Sequence, residues 1–363
     1  MGRSFAGLLT ACACCAGFCA SSCESKPVEI VDRAHAQAEA SCEPPSSDFQ
    51  APTVIVAEGN SNPSALYVDD EYVYWSSTAD NLSLRRARKN GCENTMLAHW
   101  QGGSQPFASD AEYVYWLATP GSLPGGQSVV HSLDRKTGAT RDFPLAASYL
   151  WGGLVTSAGS VVVYDLECLS VGQLKATDGS AQNFSLVPPA TPGAGGETVV
   201  VSDETQLFCS SANRIYMVSK SSTPWHAEVL HTSDNAIRGM TADASSLYWV
   251  EHGPAPAQFR PPEQWPQTIY KLAKTGGAPT RLAGLDQAGF GGAMVFDGVR
   301  QTLYWIRQNS AHSDLLALPL GSTEVRYIAR GRNLRGALAQ DAQYLYFTED
   351  HAITKLKKPV LSP

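Results

Sequence analysis

Two short runs carry the residue types that acid–base or metal chemistry needs. Glu251-His252 and Glu349-Asp350-His351 each set a carboxylate beside an imidazole, a combination that can move protons or ligate a transition metal. Both runs close a strand-like stretch that begins with an aromatic pair. Adjacent residues on a strand point to opposite faces, so the members of each run cannot all converge. They read as polar residues where a strand meets a loop. The chain has no G-x-S-x-G elbow, no H-E-x-x-H and no phosphate-binding loop. No cofactor and no metal is implied, and no catalytic residue is assigned.

The elements that would position these residues come from a repeat. Tyr72-Val73-Tyr74-Trp75, Tyr113-Val114-Tyr115-Trp116, Leu247-Tyr248-Trp249, Leu303-Tyr304-Trp305 and Tyr344-Leu345-Tyr346-Phe347 each follow an Asp a few residues upstream. Anchored on Asp69, Asp110, Ser157, Asp203, Asp243, Asp297 and Asp341, the steps are 41, 47, 46, 40, 54 and 44 residues. Units of about 40–50 residues made of short strands are the size of propeller blades. The fifth unit shows four strands: Gly239–Ala242, Ser246–Val250, Thr268–Leu272 and Thr280–Ala283. The last unit ends before its outer strand. Pro52–Ala57 has the outer-strand pattern and is expected to complete that blade, because an open ring leaves two sheet edges unpaired. The chain is therefore expected to be all-β, a seven-bladed β-propeller over 52–358 closed by its N-terminal strand, with a tail at 359–363. Six blades is the alternative if the third unit is a distorted insertion. However, the 133 residues from Asp110 to Asp243 span three ordinary intervals, which places two blades between them.

The repeated aromatics recur at one structural position and are expected to fill the space between blades. The recurring Asp is expected to cap a turn through local hydrogen bonds to backbone N–H groups. Residues that break the repeat are better binding candidates. Loops after the second and fourth strands of each blade emerge on one face. That face holds the long segment Gly253–Gln267, with Phe259, Arg260 and Trp265, and the inter-blade residues His99, Trp100, Tyr149, Trp151, Arg238, Phe290, Arg332 and Arg335. Exposed aromatics and Arg on loops have the composition of binding hot spots. His252 and His351 lie on the same rim. The turns on the other face, such as Lys89-Asn90-Gly91, are short and are expected to offer little area.

Leu247–Glu251 and Leu345–Glu349 resemble the YWTD motif of receptor propellers. The acidic fourth position is replaced by Ser77, Ala118 and, with one residue of slippage, Gln308. YWTD propellers have six blades. The chain is more similar to secreted bacterial propellers with degenerate Tyr-Trp repeats, a resemblance that implies the fold and not the ligand.

Residues 1–22, with Arg3 and an apolar Phe5–Ala20 run, have the layout of a secretory signal. Ala20-Ser21-Ser22-Cys23 resembles a bacterial lipobox and implies a lipid on Cys23. A soluble periplasmic or secreted protein is the alternative. Residues 23–51 are rich in Ala, Ser and Pro, carry a net charge of −4 over 24–51, and read as a solvated tether. Cys42, Cys92, Cys168 and Cys209 remain. Three pairings are possible, and blade adjacency favours 168 with 209 and 42 with 92, against four free thiols. None has CxxC spacing. A net charge of −7 argues against a nucleic-acid partner. The sequence thus implies an extracytoplasmic binding or scaffold propeller, lipid-anchored in the cell envelope, that holds a protein or envelope ligand on its loop face. The alternative is a propeller lyase or hydrolase acting on glycan or peptide at the central mouth.

Overall fold

The computed structural model describes residues 53–57, 63–77, 83–99, 107–118, 128–145, 151–157, 160–165, 170–175, 179–185, 198–221, 225–253, 266–285, 290–308 and 312–361. Leader, tether, Cys23, Cys42 and Cys168 lie outside these. Strand β1 is Thr53–Ala57. Blade one is β2–β5 (Pro63–Val68, Tyr72–Ser77, Ser83–Arg88, Thr95–His99). Blade two is β6–β9 (Phe107–Ser109, Tyr113–Ala118, Val129–Asp134, Thr140–Pro144). Blade three is β10–β13 (Trp151–Ser157, Ser160–Asp165, Ser170–Lys175, Ala181–Ser185). Blade four is β14–β17 (Val199–Ser202, Gln206–Ser211, Arg214–Ser219, His226–Thr232). Blade five is β18–β21 (Ala236–Ala242, Ser246–His252, Gln267–Ala273, Thr280–Leu285). Blade six is β22–β25 (Phe290–Asp297, Thr302–Gln308, Ser313–Pro319, Arg326–Arg332). Blade seven begins with β26–β28 (Leu334–Gln340, Tyr344–Glu349, Ala352–Lys357).

Each blade is a four-stranded antiparallel sheet, and the seventh has the order β26-β27-β28-β1. The N-terminal strand closes the ring with Thr53 opposite Lys355 and Ala57 opposite Ala352. Inner strands β2, β6, β10, β14, β18, β22 and β26 contact one another in that order, and β26 returns to β2. Gly91 adopts φ 91° in the outer turn of blade one. A Cβ there would run into the Ile55 carbonyl, so this turn stays glycine where β1 packs against it.

The core lies between blades rather than inside them. Seven apolar clusters fill the seven seams. Strand alternation sends the Tyr of each pair one way and the Trp the other. Tyr74 packs toward blade two with Val114 and Trp116, while Trp75 packs toward blade seven with Tyr346 and Ile353. Trp75, Trp116, Trp249 and Trp305 are fully buried, each stabilising its seam by about 1.5–3 kcal/mol or more on area alone.

The Asp turns form as the sequence implies. In blades one, two and four to seven, Oδ1 accepts backbone N–H bonds from residues two and three positions on, at 2.6–3.1 Å. The second oxygen has a role that local sequence did not suggest. The residue directly after the third strand sends a cation across the seam to the preceding blade's Asp. Lys89 reaches Asp341 at 2.7 Å, Lys274 reaches Asp203 at 2.7 Å, Lys358 reaches Asp297 at 2.8 Å, and Arg135 pairs with Asp69. Blade six has Leu320 at this position, and Asp243 Oδ2 instead accepts the Tyr248 hydroxyl at 2.7 Å. Lys220 of blade four meets the unit whose anchor is Ser157, and donates to Ser202 Oγ at 2.7 Å in its own blade.

These clasps carry a pH signature. Burial alone would raise the Asp203 carboxyl, but the Lys274 hydrogen bond and two backbone N–H donors outweigh it and bring it down to about 2. A carboxylate depressed in the folded state stabilises the fold above its unfolded value of about 3.9. That contribution fades as pH falls toward the folded value. Unfolding free energy is therefore expected to decline between about pH 4 and about pH 2, and Lys274→Met should flatten the decline. An identical acid profile in that variant would remove the clasp from the account.

Candidate functional site

The rim formed by the loops after second and fourth strands is where blades five to seven depart from the rest. Two residues past the second member of the pair, blades one, two and four carry Ser77, Ala118 and Ser211, and blade three carries a half-buried Asp165. Blades five, six and seven carry Glu251, Arg307 and Glu349, all buried. The register puts Arg307, not Gln308, at this position, since Trp305 pairs with Leu316 and Arg307 with Asp314. The slippage allowed for Gln308 does not occur.

Each of these charges is held by protein partners. Glu251 Oε1 accepts the Trp249 indole N–H at 2.9 Å, Asn235 Nδ2 donates to Oε2 at 3.4 Å, and His231 Nε2 lies 3.9 Å away. His252, its chain neighbour, points to the other side, where Gln267 Nε2 lies 3.4 Å from its Nε2. Burial, reinforced by the Arg238 charge, pushes the His252 imidazole down to about 4, so it is neutral at physiological pH. Arg307 pairs with buried Asp314, and its guanidinium lies 5.2 Å from the Tyr327 ring centre. Glu349 accepts the Thr354 hydroxyl at 3.4 Å, whereas Asp350 accepts Asn333 Nδ2 and His351 is exposed at the hairpin tip. Neither run converges, as strand alternation requires. Among the described residues, no three His, Cys, Asp or Glu side chains gather as a metal site would need.

Inner strands bulge at the same rim. The β18 register shifts between Arg238 and Met240. Gly239 takes φ 59° there, with the Gly292 carbonyl where a Cβ would go, so blades five and six approach closely and Arg238 stands half-buried at the mouth. Arg335 occupies the corresponding shift in β26, between Leu334 and Leu338. Trp151 and Arg332 lie in β10 and β25; like Arg335, their side chains are outside the described residues, as are Trp100, Phe259, Arg260 and Trp265. Of the sequence candidates, the described rim brings together Arg238 and His252, while His351 stands on blade seven.

The opposite face also carries a cleft. It measures about 630 Å³ and opens among blades one, two and seven, lined by Tyr67, Tyr72, Tyr74, Arg86, Asp70 and Glu71 among others. Arg86 lies 4.6 Å from the Tyr72 ring centre. The cleft forms between turns of neighbouring blades.

No family model matches the chain, and no curated protein resembles it. Solved structures share its fold. One is YCF48 bound to D1 peptide, at 9% identity and TM-score 0.55 over 89% of this chain and all of that one. Another is an oligogalacturonate lyase in complex with manganese, at 10% identity and TM-score 0.59 over 85% and 93%. A chain of a nidogen/laminin complex, a YWTD-type propeller, matches at 16% identity over 65% and 85%, with a TM-score of 0.45 that carries no weight. These likenesses show a β-propeller and leave its chemistry open.

Proposed function

We propose that this chain is an exported binding or scaffold propeller, held at a membrane by a lipid on Cys23, that captures a protein or envelope ligand on its loop face. The observation carrying this reading is that, among the described residues, the charges buried at this position are Glu251, Arg307 and Glu349, on one arc of one rim and each bonded. Such fixed charges hold a rim rigid, and a rigid rim presents loops at low ordering cost. The acid–base groups on the arc point apart, which favours recognition over the lyase or hydrolase reading. Disulfides between 42 and 92 and between 168 and 209 belong to the same proposal.

The test is capture from envelope extract, quantified against Arg260→Ala and Trp265→Ala. Each is expected to weaken capture about thirty-fold at unchanged melting temperature, as loss of a hot spot of about 2 kcal/mol requires. Cys23→Ser should move the protein from the membrane to the soluble fraction. Normal capture by both loop variants, with loss on mutating Tyr72 or Arg86, would reverse the face. A soluble wild type whose N-terminus is not residue 23 ends the lipid reading.

A further inference from the structure

The loop-face end of the seam between blades seven and one gathers buried polar atoms that no protein group bonds. They are the Trp75 indole Nε1, Ser77 Oγ, Ser83 Oγ, His99 Nδ1 and Thr348 Oγ1. Trp75, Ser77, Ser83 and Thr348 are at most 1% exposed. Register puts them on one seam. Ser77 pairs with Ser83, and Ser83 with His99, so these share the face that Trp75 turns to blade seven. Thr348 is two residues beyond Tyr346, which packs against Trp75, so alternation turns it toward blade one. Buried polar groups in native proteins are almost always satisfied, so a cluster of five calls for an explanation.

The repeat supplies one. Trp249 of blade five is the counterpart of Trp75, and its indole N–H donates to Glu251 two residues on, at 2.9 Å. In blade one the counterpart of Glu251 is Ser77, whose hydroxyl is too short to repeat that bond. The donors around it suit an anion: one indole N–H, which can only donate, three hydroxyls that can donate, and one imidazole. Arg85, directly across from Trp75, adds positive charge to the same face. Ser77 and Ser83 end their strands at the rim.

We propose that this seam binds a small carboxylate, which takes in blade one the place that the Glu251 side chain takes in blade five. The Trp75 indole N–H and the Ser77, Ser83 and Thr348 hydroxyls donate to its two oxygens. This site is independent of the loop contacts invoked above.

The experiment follows indole N–H resonances of the full chain by NMR. Its eight tryptophans make Trp75→Phe the assignment control. Formate and acetate are titrated against chloride at fixed pH and ionic strength. A short peptide is added with a free and then an amidated C-terminus, to separate a free carboxylate from a chain terminus. The Trp75 resonance is expected to shift saturably with formate or acetate and not with chloride. Ser77→Glu should place a carboxylate on the indole permanently, moving the resonance at the start and abolishing the response. If that variant does not fold, Ser77→Ala with Ser83→Ala should weaken the response at least tenfold. A Trp75 resonance indifferent to carboxylates would mean ordered water satisfies these groups and overturns the proposal. An equal response to chloride overturns the carboxylate assignment.

Discussion

A chain lacking residues 1–58 is expected to self-associate and to melt well below one lacking only residues 1–51. The difference between the two is β1. Without it, blade seven has three strands, and the backbone groups of β28 that pair with Thr53–Ala57 become an open edge. Unpaired edges recruit other chains. The loss also exposes Ile353 and the face that Val56 covers in the seam with blade one. Burial of Val56 is worth about 2 kcal/mol and each ladder hydrogen bond about 1 kcal/mol net. A fall of roughly 10 °C is the expected scale for a domain of this size. Light scattering and calorimetry on the two truncations decide the matter. Equal melting temperatures would mean that the ring does not depend on its N-terminal strand.

That closure was legible in the sequence because the repeat made a missing element visible: six units had an outer strand and the seventh did not. The second strands were legible for a related reason. Tyr-Trp pairs face opposite seams, so both must be large and apolar, and this demand recurs in every blade. It survives in blade three as Val161-Val162-Val163, all fully buried. The cations that join the blades were not read, although Lys89 and Lys274 stood in plain view at the start of turn motifs. Lys-Asn-Gly and Lys-Thr-Gly explain a turn locally, and only the ring shows that the Lys side chain crosses to another blade. The candidate site was less legible still. Binding surfaces rest on residues that differ from blade to blade, and a repeat reveals what its copies share. The motif already matched Glu251 with Ser77 and Ala118, but Arg307 joined them only when register gave it the position expected for Gln308. The cleft beside Tyr72 could not be read at all, since its walls come from units far apart in the chain.

The clasp between blades six and seven should be the most costly of the set to break. Lys358 and Asp297 are 2% and 4% exposed and meet at 2.8 Å. Taking two charges out of water is expensive, and removing one partner leaves the other buried without compensation. Asp297→Ala is therefore expected to destabilise the protein by about 3–5 kcal/mol, including loss of the turn held by the Val299 and Arg300 N–H bonds. Lys358→Met should be milder, because Arg300 Nη1 still meets Asp297 Oδ2 at 3.0 Å. The double variant should be more stable than Asp297→Ala alone, since the stranded ammonium is gone. Such a rescue would appear as a coupling of about 1–3 kcal/mol in a double-mutant cycle by denaturant unfolding. Asp243 provides the control, because the cation position facing it holds Leu320. It shares the Asp turn at 2.6–2.7 Å, so Asp243→Ala loses the turn bonds and the Tyr248 hydroxyl bond but strands no charge. Its expected cost is about 1–2 kcal/mol. Equal costs for the two Asp substitutions would show that the turn, and not the inter-blade cation, accounts for the recurring Asp.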